Sequence, residues 1–534
     1  MRKPLAIALS FAIYTGLQIT ALAQSNSAPH LEKRGSVTQL IVDGKPFLIL
    51  GGELHNSSSS HLDYMKPIWT GLAGMGLNTV VTPLSWELVE PTEGHYDFAL
   101  VDGLLAQARE SHEKIVFLWL ASWKNGMSSY APMWVKQDTK RFSRVVVKGR
   151  EVEVLSPASA ETQKADARAF TALMQHIKQA DSDHTVLMMQ VENEVGVLGD
   201  SRDRSAAADR EFNSPVPAEL TRYLKAHHDT LYPRLRELWD ENGGKSSGTW
   251  PEVFGDNPHA DEAFMAWHYA RFIQAVTAAG KSAYDLPMYV NTWLGEEGGV
   301  PGSYPSGGPE PWVVDIWRAA GSAIDFYAPD LYASNFVEWC QRYHRDGNPL
   351  FMPETRGGTP GAANVFYAVG EEAGFGFSPF AIEDDMNPKQ DLAVSYRAIQ
   401  AVAPVLLEHQ AAGDVHGFML DRQHPTAEFT IGGYAVHVSL DSIFGSHSES
   451  GYGLVMATGP DEFLGVGKGF RVLFTAPAQS KTRAGIGTID EGTFQDGKWV
   501  PGRRLNGDEN DQGGYWRFDP RKVSTERVKL YRYE

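Results

Sequence analysis

Two textures of apolar and polar positions follow one another along the chain. From about residue 37 to 410, short apolar runs are separated by longer amphipathic stretches. The runs are FLILGG from Phe47, NTVVTP from Asn78, KIVFLWL from Lys114, TVLMMQ from Thr185, PMYVN from Pro287, IDFYAPDLY from Ile324, PLFMPE from Pro349 and FGFSPFAIED from Phe375. Short apolar runs alternating with helical periodicity predict parallel strands joined by crossover helices. In the first crossover, Leu62, Met65, Trp69, Leu72 and Met75 fall at helical spacing behind Ser60, a residue type suited to capping. Eight such units predict an α/β fold, a (β/α)8 TIM barrel over 37–410. A doubly wound open sheet is the alternative, but GGELHNSSSS after the first run lacks a G-x-G-x-x-G turn. The long Gly/Pro-containing stretch between the fourth and fifth runs is expected to overhang the barrel mouth.

Beyond residue 410 short alternating segments such as AEFTIGGYAVHVSL and GFRVLFTAPA predict an all-β sandwich domain over 411–534. Its GVGKG from Gly465 leads into a strand and not a helix, which argues against a phosphate loop. At the other end, Arg2 and Lys3 precede an apolar run closing on Ala21-Leu22-Ala23, the form of a signal peptide over 1–23, with 24–36 as linker. A membrane anchor is the alternative, and Gly16, Gln18 and two threonines interrupt it. The expected product is periplasmic or secreted, with no membrane span once the leader is removed.

Composition narrows the partners. Losing the two leader cations takes the balance from 48 basic and 66 acidic residues to 46 and 66, a net charge of −20, which disfavours nucleic acid. The single cysteine, Cys340, excludes an intramolecular disulfide and a cysteine zinc site.

Barrel chemistry sits where strands end. Those ends carry Glu53; Trp86 and Glu87; Trp123, Lys124 and Asn125; Asn193 and Glu194 within QVENEVG; Asn291 and Trp293; Asp330 and Tyr332; and Glu354 with Arg356. Tryptophan faces, carboxylates and amides suit a neutral polyhydroxylated ligand, whereas an anionic one calls for clustered Arg or Lys. Two carboxyl groups across one pocket are the equipment of glycoside hydrolysis. The competing structural reading has each glutamate cap a loop or pair with a base such as Arg356.

Three segments carry a resemblance: QVENEVG from Gln190, the stretch Gly51 to Phe98 ending in a W-x-x-x-E-P pattern, and FMPETRGG from Phe351. The chain resembles glycoside hydrolase family 35, the β-galactosidases, within the clan A retaining glycosidases, and its tail resembles that of a bacterial subgroup with a C-terminal β domain. The resemblance implies that Glu194 is the acid/base, Glu354 the nucleophile and Asn193 a sugar 2-hydroxyl contact. Glu192, read as lying on the alternate side of the strand from Asn193 and Glu194, is expected to be structural; by the resemblance a tyrosine, Tyr332 or Tyr327, hydrogen-bonds the nucleophile. Ser122 stands where the family has a substrate-binding glutamate and Pro83 where many members have tyrosine. Glu53, Glu87 and Lys124 are therefore candidate replacement contacts, beside Trp86, Trp123, Asn125, Asn291 and Trp293. The expected function is an exported retaining exo-β-galactosidase acting on plant cell-wall oligosaccharides, possible sources including xyloglucan, without metal or organic cofactor. The alternatives are another retaining β-glycosidase, for glucosides, arabinosides or mannosides, or a catalytically silent carbohydrate-binding barrel.

Overall fold

The computed structural model describes residues 27–534 except 296, 297, 346, 444, 445, 478–480 and 496, so the expected leader lies outside the described residues. The eight apolar runs form the barrel strands β1 (Ile49–Glu53), β2 (Thr79–Ser85), β3 (Lys114–Lys124), β4 (Val186–Asn193), β5 (Met288–Trp293), β6 (Phe326–Leu331), β7 and β8 (Gly376–Phe377). Strand β7 is written in two pieces, Phe351–Met352 and Glu354–Thr355, on either side of Pro353, which has no N–H to give to a ladder. Its second piece pairs with β6 through Asp330↔Glu354, and its first with β8 through Phe351↔Gly376. Strand β8 returns to β1 through Gly376↔Ile49, so the parallel sheet closes on itself.

The barrel interior is filled by aliphatic and aromatic side chains, among them Ile49, Val81, Leu118, Tyr289, Phe326 and Phe351. Leu40 and Val42 pack into the same cluster. They belong to an antiparallel sheet of His30–Arg34, Val37–Val42 and Lys45–Phe47 that precedes β1. Residues 30–34, expected as linker, are thus a strand, paired in a hairpin with the neighbouring residues 37–41. A second departure is local. The first crossover helix, Leu62–Met75, has His61 as its N-cap without a side-chain cap bond. Ser60 instead ends a 3-10 turn, its hydroxyl donating to the Ser57 carbonyl. The stretch between β4 and β5 is helical, ending in the 26-residue Pro258–Ala283 helix, whose apolar surface is buried almost all round.

After the helix Asp391–Ala412 the chain enters two antiparallel sheets that enclose Phe418, Tyr434, Phe463, Phe470, Trp516 and Phe518. The first four residues of GVGKG end the strand Glu462–Lys468, where a Cβ on Gly465 would meet the Trp516 ring at 2.6 Å. The sandwich does not stand apart from the barrel: Val415, Tyr452, Leu454, Met456, Leu464 and Val466 belong to the same apolar cluster as the barrel helices. Glycines permit the approach, since a Cβ on Gly370 would sit 2.7 Å from the Cα of Gly417. No helix among the described residues is long and apolar enough to cross a membrane.

Because Leu454 is fully buried in this shared core, Leu454→Ala is expected to lower the free energy of unfolding by about 2–5 kcal/mol. Denaturant titration followed by tryptophan fluorescence checks this, and barrel and sandwich should unfold in one shifted transition.

Candidate active site

The end of β4 is built on strained backbone. Glu192 and Glu194 both take left-handed conformations, at φ 66° and 45°, a cost that persists only where surrounding contacts over-determine it. Strand alternation, the reason expected for the separation, would aim Glu192 and Glu194 the same way; the two left-handed residues break that parity and turn them apart. The Glu192 carboxylate turns into the barrel wall and accepts the backbone N–H of Ser122 at 3.0 Å and of Trp123 at 2.9 Å. Those donors are available because β3 slips register against β4 between Trp119 and Lys124. Asp166, on the helix Ala160–Ala180, accepts from the Ser122 hydroxyl at 2.7 Å and the Trp119 indole at 3.0 Å, and is itself hydrogen-bonded to Glu192. Burial raises both carboxyl groups, and the charge of Asp166 and its hydrogen bond raise Glu192 further.

Glu194 faces the cavity. Its backbone N–H donates to Asn291 Oδ1 at 2.9 Å, and its carboxyl lines a cavity of about 890 Å³ together with Asn125, Trp293, Asp330, Tyr332, Trp339 and Glu354. Carboxylate oxygens of Glu194, Asp330 and Glu354 lie within 4.8 Å of one another. Glu354 does not pair with Arg356, whose guanidinium donates to the Tyr332 carbonyl. Its Oε1 instead accepts from the Tyr332 hydroxyl at 2.6 Å, while Oε2 has no hydrogen-bond partner. Tyr327 is buried beside Trp317 and takes no part.

The other expected residues divide into three groups. Asn125, Trp293 and Tyr332 line the cavity. Asn193, Asn291, Glu53 and Lys124 are buried around its floor. The Asn193 amide links Asn125 and Asn291 at 3.4 and 3.3 Å. Glu53 has both carboxyl oxygens buried without a partner. The third group is not brought to the cavity. Trp86 is buried in the core with its indole donating to Glu90, and Trp123 packs between Tyr269 and Phe272 with its indole on the Leu155 carbonyl. Glu87 is partly exposed and paired with Lys136 at 3.3 Å. Both tryptophans are strand-end residues whose direction the sequence does not give: Trp86 opens a short helix, and Trp123 lies within the slip in β3. Trp339 also lines the cavity and was not expected there, while Asp330 was expected only as a strand-end carboxyl without a role. Trp339 lies on the helix Phe336–Tyr343 and carried no signal.

Crowding sets the protonation. Burial, then the charge of Glu354, pushes Glu194 up to about 7, with Lys124 and the Asp330 hydrogen bond acting against the rise. Burial also raises Glu354, opposed by Lys124 and by the Tyr332 hydrogen bond. Glu354 therefore ionises first, and its charge helps retain the proton on Glu194. Burial and the charge of Glu354 hold Glu53 well above the usual carboxylate range. Glu194, Asp330 and Glu354 are also the one grouping of three potential ligating side chains among the described residues. Asn291, Tyr332, Lys124 and protons meet their crowding, and no metal is assigned to them.

Comparison with known proteins agrees with this chemistry. Residues 64–280 match the family model described as β-galactosidase, glycoside hydrolase family 42, and residues 392–516 match a domain of unknown function, DUF5597. A β-galactosidase of Xanthomonas manihotis is 29% identical over 206 residues, 37% of this chain and 31% of that protein. Beta-galactosidase 14 of Arabidopsis thaliana is 29% identical over 133 residues, 23% of this chain and 14% of that protein. The matched segments thus span less than a third of either relative. Among solved structures, the β-amylase catalytic domain of Paenibacillus polymyxa has a TM-score of 0.46 at 13% identity, covering 66% of this chain and 97% of that one. The cold-adapted β-galactosidase of Rahnella sp. R3 has a TM-score of 0.45 at 15% identity, covering 69% of this chain and 60% of that one. The family match covers residues 64–280, less than half of the chain, and marks that segment as similar to a β-galactosidase domain.

Lys124 lowers Glu53, Glu194 and Glu354 alike. Its replacement in Lys124→Met should therefore move the Glu194 titration upward from about 7. Difference infrared spectroscopy of the carboxyl band across pH reads the shift; an unchanged or lowered midpoint would contradict this electrostatic picture.

Proposed function

We propose that this protein is an exported retaining exo-β-galactosidase that releases terminal β-galactose from plant cell-wall oligosaccharides, xyloglucan fragments among them. The observation that carries the hydrolytic reading is the approach of the Glu194 and Glu354 oxygens to within 4.8 Å, against about 5–5.5 Å between carboxyl groups in retaining enzymes and 6.5–9.5 Å in inverting ones. In the first step a Glu354 oxygen bonds to the anomeric carbon, the glycosidic bond breaks, and the leaving oxygen takes the proton of Glu194. In the second, water attacks the same carbon, gives its proton to Glu194 and displaces the Glu354 carboxylate, restoring the enzyme with retained configuration. Tyr332 holds Glu354 in line and favours its ionised form.

Galactose as the glycone is supported by the matched family and by the names of both relatives. The family 35 assignment and the plant-polymer substrate rest on the sequence resemblance, and export on the leader pattern of residues 1–23. A second reading, a retaining β-glycosidase for another sugar, is favoured by one observation. Ser122, at the family's substrate-binding glutamate position, turns away from the cavity to Asp166, leaving Glu53 and Lys124 as the replacement candidates beside the glycone.

Purified protein offered a panel of aryl β-glycosides should cleave the galactoside best and release the β-anomer first, as read by proton NMR. Glu354→Ala should abolish turnover, and Glu194→Ala should reduce it by about 10²–10⁴-fold. Azide should rescue Glu194→Ala with a β-glycosyl azide product and Glu354→Ala with the α-anomer. Initial release of the α-anomer by the parent enzyme would overturn retention, and preference for another glycoside would overturn galactose.

A further inference from the structure

Asp330 is 3% exposed at the C-terminal end of β6, on the cavity wall between the two glutamates. Its Oδ2 accepts from Asn291 Nδ2 at 2.6 Å, and the same Asn291 side chain takes the backbone N–H of Glu194 through Oδ1. The Asp330 and Glu194 carboxyl groups are hydrogen-bonded to each other. These contacts close a ring that runs from the Glu194 backbone through Asn291 and Asp330 to the Glu194 carboxyl. A single amide thereby grips the strained residue by its main chain and the acid that grips its side chain.

Resting on the reading of Glu194 as acid/base, we propose that Asp330 is its positioning partner, a carboxylic acid that donates a hydrogen bond to Glu194 and keeps its own proton through both chemical steps. Two carboxyl groups in hydrogen-bond contact need at least one proton between them. The surroundings place it on Asp330: burial, then the charges of Glu354, Glu194 and Glu53, hold this group well above the usual carboxylate range. The groups that bear on Glu194 are Glu354 on β7, Lys124 on β3 and Asp330 on β6. As the first step leaves Glu194 a carboxylate, the Asp330 O–H stabilises that new charge. As the second step returns a proton from water, the same bond keeps the Glu194 oxygen aimed at the incoming water. Asp330 acts on the reaction through Glu194 and gives up nothing itself.

The test follows the Glu194 carboxyl directly, by ¹³C NMR of glutamate-labelled protein across pH, the resonance being assigned by its loss in Glu194→Gln. In Asp330→Asn the amide still donates and the charge at that position is unchanged, so the Glu194 midpoint should stay near its parent value. In Asp330→Ala the donor is gone and the midpoint should rise by about one pH unit. A fall in Asp330→Asn would mean that Asp330 is ionised, and would overturn the proposal even if Asp330→Ala failed to fold. An unmoved midpoint in a folded Asp330→Ala would overturn it as well.

Kinetics supply a second readout that a purely structural role would not move. Asp330→Ala should lower kcat/KM at least tenfold for a glycoside whose leaving group needs protonation, and by no more than a few-fold for the dinitrophenyl glycoside, whose leaving group does not. Equal losses on both would contradict action through Glu194. A parent protein without turnover would sink the hydrolytic reading alone, leaving the titration to decide whether Asp330 holds Glu194.

Discussion

Four carboxyl groups, Glu53, Glu194, Asp330 and Glu354, share one buried floor with a single neighbouring lysine, Lys124. Like charges this close cannot all ionise in a region from which water is largely removed. The chain resolves the conflict by giving each group a different environment. Glu354 has Tyr332 and the field of Lys124, and becomes the carboxylate. Glu194 has neither a tyrosine nor an arginine, and Glu354's charge helps it keep a proton to about 7. Acid and nucleophile are thus distinguished by their neighbours and not by their residue type, which is the same for both.

The wall behind this floor is organised to hold it still. The register slip in β3 frees two backbone donors, and Glu192 takes both, so that Lys124 and Asn125 are carried over the bulge to the cavity edge. Asp166 braces the same turn from a crossover helix through Ser122 and Trp119. Asn193 and Asn291 then tie β4 to β5, and Asn291 ties β5 to β6. Strain at Glu192 and Glu194 is stored in a ring of hydrogen bonds that spans four consecutive strands.

Much of this was legible in the sequence because the barrel repeats one rule: apolar run, polar end. That rule found all eight strands and placed Glu194, Glu354, Asn125, Trp293 and Tyr332 together. It failed where direction depends on backbone detail that no pattern encodes. Trp86 and Trp123 sit at strand ends yet turn into the core, one because a helix begins there and the other because β3 has slipped. Alternation alone would have put Glu192 and Glu194 on one face; two left-handed residues separate them. The division at Pro353 follows from proline chemistry, whereas residues 30–34 form a short, mostly polar strand in a local hairpin with residues 37–41, which a rule built on apolar runs does not detect.

The central claim is that Glu354 forms a bond to the anomeric carbon while Glu194 manages the proton. Incubation with a β-galactosyl fluoride carrying fluorine in place of its second hydroxyl should trap the intermediate, since that fluorine slows its hydrolysis more than its formation. Mass spectrometry of the digested protein should then find one added sugar on the peptide containing Glu354 and none in Glu354→Ala. Label on the Glu194 or Asp330 peptide, or turnover of galactosides with no trapped sugar at all, would contradict the account.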